Sequence, residues 1–257
     1  MNINSLGFIG GGRITRIILQ AFKNKNLEFD SIIVFEPDTE TSGKLKKQFP
    51  EIEISASNHE PAAQCLVFLA VHPPVMMETI EQIKEIVDEE TILISLAPKI
   101  TMDKLSSQLS SKRIVRLIPN ATSYVNMGYN PVSFNDEFPE DGKKPVLKML
   151  RKLGKTIEVP EEKLEAYAIV SAMLPTYFWF QWKKMEDIAL ATGLDEPESK
   201  RIISSTLTRA IKLLYKSGLS HEEVIDLIPV KPIGENEKEI ETILESKLIG
   251  LFKKIKP

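Results

Sequence analysis

The sequence predicts an α/β fold, in which an N-terminal doubly wound parallel sheet is followed by an all-α C-terminal domain. Short β-rich segments alternate with helical patterns over residues 1–159. Leu66–Val71 is apolar at every position, as expected for a strand buried on both faces. Residues 160–257 carry helical patterns only. We therefore predict two domains, 1–159 and 160–257.

The N-terminal elements follow in order from these patterns. The first strand, Ser5–Ile9, ends at three glycines and precedes a helical pattern with Ile14, Ile18 and Phe22 on one face. Further strands are predicted at Ser31–Phe35, Ile52–Ile54, Leu66–Val71, Thr91–Leu96, Arg113–Leu117 and Val132–Phe134. Helices are predicted at Thr39–Phe49, Met76–Val87 and Thr101–Leu109. This alternation is typical of a parallel sheet with helices on both faces.

The C-terminal domain carries four helical patterns, at 161–192, 196–217, 220–227 and 237–254. Pro175 should interrupt the first, because proline removes a backbone donor and clashes with the preceding turn. Ser220 and Glu223 have the spacing of a capping box. Ala166–Trp182 is the most apolar stretch, but a membrane span needs roughly 20 predominantly apolar residues. We therefore expect a buried helix there and no membrane association.

The net charge and the cysteine and histidine residues limit which partners, cellular location and metal sites we expect. The net charge is -3, so the chain has no broad basic surface and nucleic acid is an unexpected partner. Cys65 is the only cysteine, which excludes an intrachain disulfide and suits a cytoplasmic location. Because Cys65 directly precedes an apolar strand, we expect it to be a core residue. The three histidines lack metal-ligand spacing, so no metal site is predicted.

Gly10, Gly11 and Gly12 lie between the first strand and the first helix. Gly10 permits a tight turn, and Gly12 lets the backbone approach a pyrophosphate at the helix N-terminus. The third position of the G-x-G-x-x-G pattern is Thr15 instead of Gly or Ala. The context predicts a Rossmann-type dinucleotide-binding turn, with Arg13 and Ile14 also in the cofactor site. The alternative is a glycine-rich loop with no ligand.

Glu36 ends the second strand, where an acidic side chain can accept hydrogen bonds from the ribose hydroxyls of NAD. The same charge would repel the 2′-phosphate of NADP, and Asp38 adds to it. A solvated turn acid is the alternative. Because Arg13 or a nearby lysine could serve a phosphate, the predicted cofactor is NAD or NADP, with Glu36 favouring NAD.

Other candidates follow strands, because ligands of doubly wound sheets bind outside the carboxyl ends of the strands. The further predicted cofactor-binding residues are Asn58, Ala70, Val71, His72, Pro73 and Asn120. His72 can titrate near neutrality, although a loop histidine without a role is equally consistent with its position. Asn120 can face a nicotinamide or a substrate, and a simple Pro-Asn turn is the alternative.

Together these segments resemble pyrroline-5-carboxylate reductase. The family's glycine turn, Ala-Val-Lys-Pro and Arg-Val-Met-Pro-Asn elements are matched by Gly7–Gly12, Ala70–Pro73 and Arg116–Asn120. Pro175-Thr176-Tyr177 and Asp187 fall where the family has Pro-Ala-Tyr and a helix aspartate. Thr206 falls at a substrate-side threonine, so the resemblance implies Thr206 and Asn120 as catalytic residues.

The same resemblance implies a Rossmann domain followed by an all-α dimerisation domain, and therefore a homodimer or a higher homo-oligomer. It implies hydride transfer from NAD(P)H to a small cyclic imine that bears a carboxylate, with proline biosynthesis as the leading case. The protein would mainly position this small-molecule substrate.

The substrate half departs from the family pattern. Ser171–Pro175 lacks two glycines of a Ser-Gly-Ser-Gly-Pro segment, and Pro229–Gly234 lacks the glycine pair and hydroxyls of a carboxylate-binding loop. Ala97-Pro98-Lys99 replaces Ala-Ala-Gly, and His72 replaces lysine. Lys231 could pair with a carboxylate in place of the lost amides, or be an exposed loop lysine.

Two other functions stay open. One is an oxidoreductase for another small carbonyl, hydroxyacid or deazaflavin substrate, in which Lys183 or Lys184 could be the acid–base residue or merely a surface charge. The other is a dinucleotide-binding protein without catalysis, since fold alone does not set function. The aromatic cluster Tyr177–Trp182 either lines a pocket or packs in a core or dimer interface.

Overall fold

The computed structural model describes residues 3–257. The strands are β1 Ser5–Ile9, β2 Ser31–Phe35, β3 Glu53–Ser55, β4 Leu66–Leu69, β5 Ile92–Ser95, β6 Ile114–Leu117, β7 Gly128–Phe134 and β8 Gly154–Glu158. The helices are α1 Arg13–Asn24, α2 Thr39–Gln48, α3 His59–Ala62, α4 Pro73–Ile83, α5 Met102–Ser106, α6 Glu140–Leu150, α7 Leu164–Tyr167, α8 Leu174–Ala191, α9 Glu196–Lys216, α10 His221–Asp226 and α11 Glu237–Ile255.

Within these residues the strands form one sheet in the order β3-β2-β1-β4-β5-β6-β7-β8. β1 lies between β2 and β4, so the direction in which strands are added reverses at β1. β1 to β6 are mutually parallel, which brings their carboxyl ends to one edge. The predicted doubly wound sheet is confirmed, and its reversal point is where such sheets bind ligands.

The far edge of the sheet differs from the prediction. β7 pairs antiparallel with β6, because only a short 3₁₀ turn at Ala121–Val125 joins them and a parallel return needs a longer crossover. α6 and β8 were not predicted. α6 contains Pro145, which disfavours a helix interior, and β8 is partly exposed and mostly polar.

Two apolar layers cover the faces of the sheet. On one face, side chains of α1, α2 and α6 pack with Leu6, Phe8 and Phe68, and the last two rings stack 4.7 Å apart across β1 and β4. On the other face, α3, α4 and α5 pack over Ile9, Val67 and Leu69. The strands are therefore buried from both sides, as the apolar run of β4 predicts.

Cys65 does not lie in either apolar layer. It is half-buried just before β4, where its sulfur lies 3.2 Å from the Ser5 backbone nitrogen and 3.1 Å from the Ser5 carbonyl oxygen. The expectation of a core cysteine is wrong, because the apolar run begins one residue later and the sulfur lies beside the polar backbone of Ser5, the first residue of β1.

The chain divides into two compact units, residues 3–173 with Leu251–Pro257, and Leu174–Gly250. The first unit therefore extends beyond residue 159. The predicted interruption at Pro175 is present, since a π-helical turn at Ala168–Ala172 ends just before α8. The capping box at Ser220 is also formed.

The second unit consists of helices with little buried surface. Among its residues only Ser199 is buried. The expectation of a buried helix at Ala166–Trp182 holds for Ala168 and Ile169 but is wrong for α8, where Phe180 is 67% exposed. No helix among residues 3–257 combines the length and the apolar character that crossing a bilayer requires.

Candidate dinucleotide site

The glycine turn between β1 and α1 depends on Gly10. Its φ is +102°, in the region that favours glycine, and its N–H donates to the Phe35 carbonyl oxygen at 2.8 Å. A Cβ on Gly10 would lie 2.6 Å from the Ala70 carbonyl oxygen. Gly10 therefore lets β1, β2 and the end of β4 meet at the edge where the site is expected.

Gly12 leaves the start of α1 open. It is the N-cap residue of the helix, no side chain caps it, and a Cβ built on it would have no heavy atom within 4 Å. The first N–H groups of a helix have no partner within the helix and carry its positive end. An anion can therefore approach this backbone, which fits the pyrophosphate of a dinucleotide.

Thr15 takes the position that the pattern reserves for a third glycine. It is buried, and its hydroxyl donates to the Gly10 carbonyl oxygen at 2.5 Å. The side chain thus turns inward and closes the turn instead of blocking it. The departure at Thr15 is compatible with the predicted dinucleotide turn.

Glu36 folds over the glycine turn from the end of β2. One carboxylate oxygen accepts the Gly11 N–H at 2.8 Å, and the other accepts the Asp38 N–H at 3.0 Å. A Cβ on Gly11 would lie 2.8 Å from the Cβ of Glu36, so Gly11 makes room for this contact. Glu36 therefore lies next to the glycine turn, and both of its carboxylate oxygens already accept backbone N–H groups.

A cavity of about 400 Å³ lies at this edge. The predicted residues that line it are Gly10, Gly12, Glu36, Asn58, Ala70, Val71 and His72. Asn58 is buried and donates to the Gln82 side-chain oxygen at 2.6 Å, so it forms part of the cavity wall. His72 is the exposed N-cap of α4, and Pro73 is the first residue of that helix. The fold brings the predicted turn and strand-end residues together here.

A second cavity, of about 620 Å³, is lined by residues of α1 and α2 and by Glu36. Arg13 and Ile14 line it, as do Gly11, Gly12 and Glu36. Arg16 and Lys44 also line it and were not predicted. The spacing of Arg13 and Arg16, one helical turn apart, was a signal in the sequence that could have identified Arg16.

Asn120 lies at the end of β6 but lines neither cavity. Its side-chain nitrogen donates to the Ser171 carbonyl oxygen at 3.0 Å, and its side-chain oxygen accepts from the backbone and hydroxyl of Thr122 at 3.0 and 2.7 Å. Asn120 therefore braces the end of β6 against the π-helical turn. Its role beside a nicotinamide stays a prediction.

A buried ion cluster supports the same region. Arg116, near the end of β6, binds Glu165 at 2.5 Å and Glu161 at 2.9 Å. The side chains of Arg116 and Glu165 are each 1% exposed and that of Glu161 is 24% exposed. This cluster ties β6 to the segment that carries Ser171.

The remaining candidates lie in the second unit. Thr206 is an exposed residue of α9, and Lys231 is exposed between α10 and α11. The Glu186 carboxylate, 3.0 Å from the Lys183 amine, raises the pKa of Lys183 above its usual 10.5. The side chain of Lys183 is 65% exposed, as expected for a surface charge. Lys184 is likewise exposed, with its amine 4.0 Å from Asp187.

Among residues 3–257, no three His, Cys, Asp or Glu side chains are grouped so that they could hold a metal ion.

One exposed residue after β5 has an uncommon backbone conformation. Lys99, after β5, has a φ of +70°. Among residues 3–257, the other non-glycine residues with a positive φ are Asn26 and Asn126. Asparagine adopts this region readily, whereas lysine does so at a cost.

Comparison with known proteins finds similar sequences over most of this chain. A family model described as "NADP oxidoreductase coenzyme F420-dependent" matches residues 5–99. The pyrroline-5-carboxylate reductase of Escherichia coli (strain K12) is 23% identical over 215 residues, which cover 83% of this chain and 80% of the relative. That of Methanosarcina acetivorans is 22% identical over 259 residues, which cover 98% and 94%.

A solved structure shows the same fold. It is the pyrroline carboxylate reductase of Plasmodium falciparum with NADP bound, at a TM-score of 0.83 and 21% identity, with 99% of this chain and 97% of that chain covered. Over most of its length the chain is similar to pyrroline-5-carboxylate reductases.

Proposed function

We propose that this chain is an NAD(P)H-dependent reductase of a small cyclic imine that bears a carboxylate, with pyrroline-5-carboxylate as its substrate. The observation that carries the proposal is the glycine turn, where Gly10 has a φ of +102° and the backbone at Gly12 is open. The curated relatives named above span most of this chain and carry that enzyme's name.

In this reaction the bound nicotinamide supplies a hydride to the electrophilic carbon of the protonated imine. The chain itself binds the cofactor and orients the substrate. The open N–H groups at the start of α1 bind the pyrophosphate, and Asn58, Val71 and His72 form the wall of the neighbouring cavity. We propose Thr206 and Asn120 as the substrate-side residues, with Asn120 held in place by Ser171 and Thr122.

The test is oxidation of NADH and NADPH in parallel, with pyrroline-5-carboxylate as acceptor. Gly12→Ala is the informative variant, because a methyl group there meets no protein atom but occupies the space that a pyrophosphate needs. We expect its KM for the dinucleotide to rise at least about tenfold, with an unchanged Tm. Gly43→Ala is the matched control, since Gly43 in α2 also has no heavy atom within 4 Å of its added Cβ.

Turnover by the parent and by Gly43→Ala, with loss in Gly12→Ala, would support the proposal. Dinucleotide binding without turnover of pyrroline-5-carboxylate would overturn the substrate and leave a non-catalytic binding protein or another substrate. The match of residues 5–99 to F420-dependent oxidoreductases makes a deazaflavin the first alternative substrate to assay.

We also propose a homodimer or a higher homo-oligomer, built on the second unit. Its residues bury only Ser199, while Trp179 is 46%, Phe180 67% and Ile211 55% exposed. Apolar helices need a partner surface to be stable. Native mass spectrometry of the chain and of Phe180→Glu tests this, and a monomeric parent would rule it out.

The cytoplasmic location is proposed only from the single cysteine.

A further inference from the structure

We propose that the ammonium group of Lys99 binds the carboxylate of the substrate and so selects imines that bear one. The inference rests on the proposed function and deepens it, because it names a specificity-determining residue of the same site. It adds to that site the segment directly after β5, to which no pattern in the sequence assigns a role.

The first support is the position of Lys99 in the sheet. β5 lies between β4 and β6, and all three strands are parallel. The last residue of β5 pairs with the last residue of β4 and with the third residue of β6. Counted from that level, Pro73, Lys99 and Asn120 are each four residues further along their segments. Lys99 therefore follows its strand at the carboxyl edge, where ligands of doubly wound sheets bind.

The second support is the backbone of Lys99, since its φ of +70° is unfavourable for a lysine. Buried neighbours fix this conformation. Ala97 and Ile100 belong to the apolar layer under α4 and α5, and the Thr101 side chain caps α5 by accepting the Lys104 N–H at 3.2 Å. Unfavourable backbone conformations that the surrounding structure holds in place are concentrated at binding and active sites. The cost of a lysine at this position points to a use for its charge.

The third support is that the ammonium group of Lys99 is available to an anion. Lys99 is exposed, and within residues 3–257 it forms no ion pair. By contrast, the amines of Lys183 and Lys184 lie 3.0 and 4.0 Å from carboxylates of their own helix. An unpaired ammonium group at the ligand-binding edge can hold a carboxylate through charge-assisted hydrogen bonds.

The fourth support is the lack of donors in the loop between α10 and α11, where the resemblance implies a carboxylate-binding loop. The segment Pro229–Gly234 has no hydroxyl side chain, and its two prolines have no backbone N–H. Its one cation, Lys231, lies in the second unit, whereas Lys99 lies in the unit that contains the glycine turn. Lys99 supplies a positive charge on the same rigid sheet edge as the predicted cofactor-binding residues.

The experiment compares two imines that differ in the carboxylate, pyrroline-5-carboxylate and 1-pyrroline, as substrates of the full chain. Lys99→Asn removes the charge and introduces a residue that adopts a positive φ readily. We expect its KM for pyrroline-5-carboxylate to rise at least about tenfold, with kcat, the KM for the dinucleotide and the Tm not lowered. The preference for pyrroline-5-carboxylate over 1-pyrroline should fall by the same factor. Lys99→Arg keeps the charge and should retain most of that preference.

Lys104→Asn is the matched control, since it removes an exposed cation of α5 and should leave the KM for both imines unchanged. An unchanged KM for pyrroline-5-carboxylate in Lys99→Asn, or an equal loss with both imines, would overturn the role of Lys99 while the proposed function stands. If the parent reduces no pyrroline-5-carboxylate, both proposals fail.

Discussion

Glu165→Gln tests the buried ion cluster that ties β6 to the π-helical turn. The substitution keeps the shape of the side chain but removes the charge that faces Arg116 at 2.5 Å, where both side chains are 1% exposed. Removing one partner of a buried ion pair costs about 3–5 kcal/mol. Because Glu161 still holds Arg116 at 2.9 Å and a glutamine can still accept one hydrogen bond, we expect the lower end, about 3 kcal/mol.

The assay is thermal unfolding followed by circular dichroism. For a chain of this size a loss of 3 kcal/mol corresponds to a fall in Tm of roughly 6–12 °C. Glu162→Gln is the control, because Glu162 is exposed and such surface changes stay within about 0.5 kcal/mol. A Glu165→Gln shift no larger than that of Glu162→Gln would refute the reasoning. The double variant Arg116→Leu/Glu165→Leu should recover part of the loss, because both fully buried charges are then removed and the partly exposed Glu161 still accepts the Met102 N–H at 2.8 Å.

Three further predictions address single residues. Hydrogen bonds from the side chain and backbone of Thr91 lower the pKa of Asp88 below 3.8, so Asp88→Asn should be less stable than the parent at neutral pH. That difference should shrink as the pH falls through the lowered pKa, and urea titrations that show a constant difference would contradict it. Lys99→Gly should raise the free energy of unfolding by about 0.5–1 kcal/mol, since it relieves the φ of +70°, and a lower Tm would argue against strain there. Gly10→Ala should lower both Tm and cofactor affinity, because its Cβ meets Ala70, and an unchanged Tm would contradict the close contact.

The elements of the fold that could be predicted are those determined by neighbouring residues in the sequence, such as apolar runs, glycines and prolines. β1 and β4 are apolar runs that end at glycine and at His72-Pro73, so their position and their carboxyl ends could be predicted. The glycine turn follows because the φ of +102° at Gly10 favours glycine. α6 and β8 have no such signal, because Pro145 argues against a helix in the sequence of α6 and the residues of β8 are largely polar.

The features of the site that could not be predicted from the sequence depend on contacts between residues that are far apart along the chain. Asn120 could be placed at a strand end, but its bond to Ser171 joins residues that are 51 positions apart. Arg16 and Lys44 lie on different helices and share a cavity only after β1 and β2 have paired. The position of Glu36 directly after β2 could be predicted, but nothing in the neighbouring sequence shows that its carboxylate would accept the Gly11 N–H.

The bond from Thr15 to Gly10 has a consequence for how the cofactor binds. Since this hydroxyl already fixes the turn, the backbone loses little conformational freedom when the ligand arrives. The turn is preorganised, so affinity depends on the contacts that the pyrophosphate makes and little on any folding of the loop around it. A third glycine would leave the same turn to be ordered at each binding event, and the chain would lose that entropy every time.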